Sequence, residues 1–243
     1  ARSAGRSTSA SSTQRALRGG QRGTITNLAS SLPAVESIAY GIDSAGRIVG
    51  AGRSLASQTT TLPLLFDGNG GATALPTLPG TDRGEARAIN DVGFVAGRSS
   101  GLTADTTRAT LWNLALGTAT ELSKPVGNFG GMNAVALNDA NTVVGTGVLD
   151  GVNTVGVVWQ DGVGFRLDDL TDGVPDGFVI RIANDINESG QIVGYARQTN
   201  GDGTFVDRAF LLNPYPVPEP ASLTVLGLGL LAARRRRACG ATR

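Results

Sequence analysis

The densest cluster of side chains able to do chemistry is Asp168, Asp169, Asp172 and Asp176. Paired carboxylates at a fixed separation run glycoside hydrolysis, and several oxygens in one loop bind calcium. Nothing in this spacing fixes a separation. A solvated loop is the simpler reading, with Asp168, Asp169 and Asp172 kept as candidates for a weak calcium site. Asp67-Gly68-Asn69-Gly70 and Asn200-Gly201-Asp202-Gly203 begin like calcium loops but lack the third ligand and the later bidentate Glu; turn chemistry accounts for them. Gly97-Arg98-Ser99-Ser100-Gly101 fits G-x-S-x-G, but a nucleophile elbow needs a His partner and the chain has no histidine. Gly227-Leu228-Gly229 mimics a dinucleotide fingerprint without the strand that must precede it. Trp112 and Trp159 could stack on sugar rings, yet they occupy matched repeat positions, which predicts core. The single cysteine, Cys239, lies in a basic tail, so the body has no disulfide and no thiol chemistry. No catalytic residue and no cofactor is expected.

The elements that carry these residues come from a phrase written four times: Ala39–Gly50, Ala86–Gly97, Ala134–Gly145 and Ala183–Gly194. The copies start 47, 48 and 49 residues apart, a period that means one supersecondary unit per copy. In each, an apolar residue precedes Asp43, Asn90, Asn138 or Asn187. Three residues later stand Gly46, Gly93, Asn141 and Gly190. Only Gly, and less readily Asn, tolerates positive φ, so this slot predicts the left-handed residue of a tight turn. The Asp or Asn ahead of it can bond its own backbone. A short apolar run follows and ends on Gly50, Gly97, Gly145 or Gly194. Strand, turn, strand predicts a β-hairpin.

A third strand is expected at Leu64–Phe66, Thr110–Trp112, Val157–Trp159 and Phe210–Leu212. A fourth lies near Ala74–Leu78, Ala119–Leu122 and Phe165–Leu170, and the last period lacks one. Ile25–Leu28 could supply it. The expectation is therefore an all-β, four-bladed β-propeller closed by the N-terminal strand, with an open β-solenoid or a β-sandwich as alternatives. Glycine, at 35 residues, is about twice its usual share. Residues 1–23 carry five Arg, no acid and one Leu, and are expected to be disordered. Residues 234–243 also carry five Arg and no acid, which leaves eleven basic against twenty acidic residues between. An acidic body with basic ends argues against a nucleic-acid-binding domain. The domain reading is 1–23, then the repeats at 24–213, a Pro-rich spacer at 214–220 and a tail at 221–243. No apolar signal-peptide core is visible, which leaves open whether one precedes Ala1.

Two resemblances follow from these residues. A-x-x-I-N-x-x-G-x-V-V-G with a later Arg208-Ala209-Phe210-Leu211-Leu212 resembles the HAF-type extracellular repeat of bacteria, over about residues 24–213. That family implies no activity. Val217-Pro218-Glu219-Pro220, the apolar stretch Ala221–Ala233 and Arg234, Arg235, Arg236 and Arg237 closely resemble the PEP-CTERM sorting signal. Thirteen helical residues rise about 20 Å against a hydrocarbon core of ~30 Å, and the arginines fit a cytoplasmic stop. The resemblance implies recognition at Pro218-Glu219-Pro220 by an exosortase. It implies transient anchoring of Ala221–Ala233 in the inner membrane, then release to the cell surface or medium. The expected function is a non-enzymatic surface or matrix protein in adhesion or polysaccharide contact. The alternatives are a carbohydrate- or calcium-binding module and a polysaccharide-acting hydrolase.

Overall fold

The computed structural model describes residues 4–8, 14–19, 25–29, 34–54, 57–101 and 107–214. The chain divides into Ala1–Asn213 and Pro214–Arg243, at the start of the proline-rich run. Among the described residues the elements are strands and one 3-10 turn, Asp168–Leu170.

Each repeat folds as an antiparallel meander, in which every strand pairs with the next one along the chain. Sheet 1 holds β1 (Ala4–Thr8), β2 (Gln14–Gly19) and β3 (Ile25–Asn27). Sheet 2 runs β4 (Ala34–Ile42), β5 (Ile48–Ser54), β6 (Ser57–Phe66), β7 (Ala72–Ala74). Sheet 3 runs β8 (Arg83–Ile89), β9 (Phe94–Ser100), β10 (Arg108–Asn113), β11 (Thr118–Glu121). Sheet 4 runs β12 (Phe129–Leu137), β13 (Val143–Leu149), β14 (Asn153–Gln160), β15 (Val163–Arg166). Sheet 5 has three strands, β16 (Phe178–Ile186), β17 (Ile192–Thr199) and β18 (Phe205–Leu212).

The sheets pack on one another in chain order, and the core is a set of layers between them. Leu28 and Ala29 close on Ile48, Leu64 and Phe66. Val49 of sheet 2 meets Ala86, Ile89, Val95 and Trp112 of sheet 3. Ala96 and Ala109 of sheet 3 meet Phe129, Met132 and Trp159 of sheet 4. Val144 and Val158 of sheet 4 meet Ile180, Ala183 and Ile186 of sheet 5. A single repeat thus has no core of its own. Burying one Val, Leu or Phe is worth about 1.5–3 kcal/mol, and that gain exists only between neighbours.

Two expectations are corrected. Residues 1–23 are not uniformly without structure: β1 and β2 lie there, paired from Ala4↔Arg18 to Thr8↔Gln14. Strand pairing satisfies backbone donors and acceptors whatever the side chains, so composition alone missed it. Nor does Ile25–Leu28 complete the last sheet. β3 pairs with β2, Leu17↔Asn27 to Gly19↔Ile25, and β18 pairs with β17. Pairing with the nearby β2 closes a far shorter loop than pairing with β18 would. Leu28 follows β3 as buried Leu122 and Leu167 follow β11 and β15, so this segment ends its own sheet. Ring closure by the N-terminal strand is not the structure's solution.

Candidate functional site

The recurring turn is the most specific piece of chemistry in the molecule. Gly46, Gly93 and Gly190 have φ of 82°, 92° and 76°, and Asn141 has φ of 60°. In each hairpin the residue in that slot donates its N–H to the carbonyl of Asp43, Asn90, Asn138 or Asn187, at 3.0–3.2 Å. With that carbonyl occupied, the side chain takes over the ladder. Oδ1 of Asp43, Asn90, Asn138 and Asn187 accepts the N–H four residues on, at 2.8, 2.7, 3.0 and 2.9 Å. An Asp or Asn is required there because only its short side chain reaches back to its own hairpin.

The turns also bond to one another. Asn90 Nδ2 donates to the Asn138 carbonyl at 2.9 Å, and Asn138 Nδ2 to the Asn187 carbonyl at 3.3 Å. Asp43 has no N–H to give. In that repeat Arg47 pairs with Asp43 and donates to the Asn90 carbonyl at 3.3 Å. Beside this row runs a second. The N–H of Ser44 donates to Asp91 Oδ1 at 2.8 Å, that of Asp91 to Asp139 at 2.9 Å, and that of Asp139 to Glu188 at 3.0 Å. The Ser44 backbone N–H, then its hydroxyl, hold the Asp91 carboxyl below the usual carboxylate range. The result is a spine of two hydrogen-bond rows crossing four repeats. Sequence reading foresaw the Asx bond within each hairpin but neither row between hairpins, although an acid follows the Asx residue in three of the four copies.

Opposite the turn lies a close approach of backbone. A bulge sits between Ala39/Gly41, Ala86/Ala88, Ala134/Ala136 and Ala183/Asp185, facing Gly50, Gly97, Gly145 and Gly194. A Cβ at those glycines would lie 1.9–2.0 Å from the carbonyl oxygens of Ile38, Glu85, Asn133 and Ile182. The phrase ends on Gly because no side chain fits there.

The other residues singled out by type are placed as follows. Trp112 and Trp159 are buried, and their Nε1–H groups donate to the carbonyls of Pro76 at 2.6 Å and Ser123 at 2.8 Å; they are core pillars, not sugar platforms. Asp168 accepts from the Ile180 N–H at 2.9 Å and lies 3.5 Å from Arg166. Asp168 and Asp169 open the 3-10 turn. Among the described residues no group of three His, Cys, Asp or Glu is arranged to hold a metal, so Asp168, Asp169, Asp172 and Asp176 are not brought together as a ligand set. Asp67 bonds the N–H groups of Asn69 and Gly71, and Asp202 that of Thr204, which are turn roles. Ser99 is buried and bonded to the Thr110 hydroxyl at 3.1 Å. A cleft of about 160 Å³ opens beside sheets 2 and 3, lined by Glu36, Tyr40, Arg53, Thr61 and Glu85 among others.

Val217, Glu219, Ala221–Ala233, Arg234–Arg237 and Cys239 lie outside the described residues. Among the described residues no helix is long and apolar enough to cross a membrane. The sequence there matches the PEP-CTERM protein-sorting motif over residues 216–237. That motif marks the chain as an exosortase-sorted, exported cell-surface protein. No curated protein matches the chain.

Proposed function

We propose that the chain is a non-enzymatic surface protein whose stacked repeats form an extended contact body in adhesion or polysaccharide binding. The observation that carries this reading is the juxtaposition of a sorting tail with a repeat body whose shared polar side chains are committed to structure. The Asx residues hold turns, the acids tie repeats together and the indole N–H groups bond carbonyls. The four repeats are of the HAF type in this reading. Their sheets are the blades of a propeller-like array, in which the first strands of successive sheets are neighbours. Before release, Ala221–Ala233 holds the protein in the inner membrane with Arg234–Arg237 inside.

Mass spectrometry of the mature protein from its native cell tests the sorting half. The C-terminus should fall near Pro220, and replacing Pro218-Glu219-Pro220 by three alanines should leave the full-length form in the membrane fraction. Normal processing of that variant would sink the reading. A glycan array tests the contact half. One observation favours a narrower second reading, a carbohydrate-binding module: the cleft at Tyr40 combines an aromatic ring with Glu36, Arg53 and Glu85. Binding lost on Tyr40→Ala but kept on Trp159→Phe would select it.

A further inference from the structure

We infer that the cleft beside sheets 2 and 3 binds one anionic sugar unit of an acidic polysaccharide, a ring that carries a carboxylate or a sulfate. The inference rests on the carbohydrate-binding reading above and names its ligand class. The cleft opens where β4 and β8 lie side by side. It is lined by Glu36, Tyr40, Arg53, Thr61 and Glu85 and measures about 160 Å³. A cavity of about 150 Å³ holds one six-membered ring, so the cleft seats one sugar unit and, being open, lets a chain run on from it. Its charged and aromatic residues are not part of the repeat. Glu36 has Arg83, Gly131 and Ile180 as counterparts in the other copies, and Tyr40 has Arg87, Val135 and Asn184. Arg53 has Ser100, Val148 and Arg197, and Glu85 has Ile38, Asn133 and Ile182. At each of these positions some copy does with an apolar residue, whereas the Asx residue, the left-handed slot and the last glycine keep their type. Hairpin formation therefore does not account for the charges gathered here, and partly buried ion pairs add little stability over apolar packing.

The pairs are arranged with their carboxylates inward. Arg53 pairs with Glu36, and Arg87 and Arg98 both pair with Glu85 at 2.7 Å. In every pair the guanidinium side is the more exposed. Arg53 is 43 % exposed against 20 % for Glu36, while Arg87 and Arg98 are 34 % and 31 % exposed against 16 % for Glu85. A ligand therefore meets cations first, three of them over two carboxylates. Arg87 also lies over the Tyr40 ring, 4.7 Å from its centre. Glu85 and the ring together fix this guanidinium before any ligand arrives, which lowers the ordering cost of binding. A guanidinium carries five N–H donors in a planar fork, and one carboxylate engages two of them. Arg87 can thus bridge Glu85 and the acidic group of a sugar. Tyr40 supplies apolar surface for the C–H groups of the ring, and Thr61 a hydroxyl for its hydroxyls. A neutral sugar could use the last two but would leave the excess positive charge unanswered.

The test titrates the full chain in detergent micelles with three trisaccharides, a galactose trimer, its sulfate ester and a galacturonate trimer, by calorimetry. A one-ring contact gives about millimolar affinity. The expected result is that at least one acidic trimer binds tenfold or more tighter than the neutral one, and that this advantage is lost in about 1 M salt. Which acidic trimer it is tells carboxylate from sulfate. Arg53→Gln and Arg87→Gln should each remove the advantage and leave the neutral trimer unaffected. Arg87→Lys keeps the charge, and with it the fold, but should still weaken the acidic trimer because the fork is gone. Arg108→Gln, which breaks a pair with Glu121 outside the cleft, should change nothing. Circular dichroism verifies the fold of each variant. Equal binding of all three trimers would overturn the anionic assignment and leave the carbohydrate reading standing. An acidic preference that survives in all three variants of Arg53 and Arg87 would overturn the cleft as its site. Binding of none of the trimers by the folded protein would overturn the cleft and the carbohydrate reading together. None of these results touches the sorting function, which is read at the C-terminus.

Discussion

Adding one methyl group at Gly97 should unfold more of this protein than adding one at Gly201. At Gly97 the new Cβ would lie 2.0 Å from the Glu85 carbonyl oxygen, with the Trp112 ring 3.0 Å away. Carbon and carbonyl oxygen in contact need about 3.3 Å, so β8 and β9 must part by more than about 1 Å. Backbone blocks one side and a buried indole the other, so no flexible side chain can absorb the shift. Overpacking of a close-packed site costs about 1–3 kcal/mol, and the upper end applies here. For a chain of this size that lowers Tm by about 6–12 °C. At Gly201 a Cβ meets nothing within 4 Å, and Gly→Ala there should be neutral or stabilising by up to about 1 kcal/mol. The assay is thermal unfolding of the full chain in detergent, followed by fluorescence of Trp112 and Trp159, the only tryptophans, which stand in sheets 3 and 4. Equal melting temperatures for Gly97→Ala and the parent would refute the close approach, and with it the reason the phrase ends on glycine.

Leu28, fully buried between sheets 1 and 2, should cost about 2–5 kcal/mol on truncation to Ala by denaturant titration. A cost near zero would mean that the N-terminal sheet does not cover sheet 2. Asn138→Asp removes the Nδ2 donor to the Asn187 carbonyl at a 3 % exposed position, and should destabilise by about 1–3 kcal/mol at neutral pH. Part of that loss should return in acid, where a protonated carboxyl can donate. Asp91 has a folded pKa lowered from 3.8, so its contribution is present above the unfolded value and is lost as pH falls through the folded one. Stability should hold from neutral pH down to about 4 and decline below. The decline should be shallower in Asp91→Ala, and an unchanged acid limb would remove Asp91 from the spine.

The hairpins were legible because a conformational requirement restricts residue type: a left-handed slot accepts Gly and Asn, and Asn141 stands where the other copies have Gly. The third strands were legible from Phe66, Trp112 and Trp159 at matched distances from the turn. Pairing of the first strands was not. Ile25 is 71 % exposed, so no buried face dictates which sheet its strand joins, and register is weakly specified without one. The spine between turns escaped because its second row uses backbone N–H groups, which every residue has. Only the acceptor varies, and Asp91, Asp139 and Glu188 look like ordinary surface acids until the neighbouring turn is placed beside them.

That row has a direction. Each of the first three repeats offers a backbone N–H forward, and each of the last three receives one from behind on a carboxylate; the first has Ser44 where the others carry Asp91, Asp139 and Glu188. The units are therefore not interchangeable. A duplicated copy of the second or third phrase, inserted in line, brings its own acceptor for the unit behind it and offers its own donor to the unit ahead. A copy of the first phrase inserted downstream would face an N–H with no carboxylate to receive it. Lengthening by recombination has a permitted grammar here: the middle of the array can grow, and the two ends cannot trade places with it.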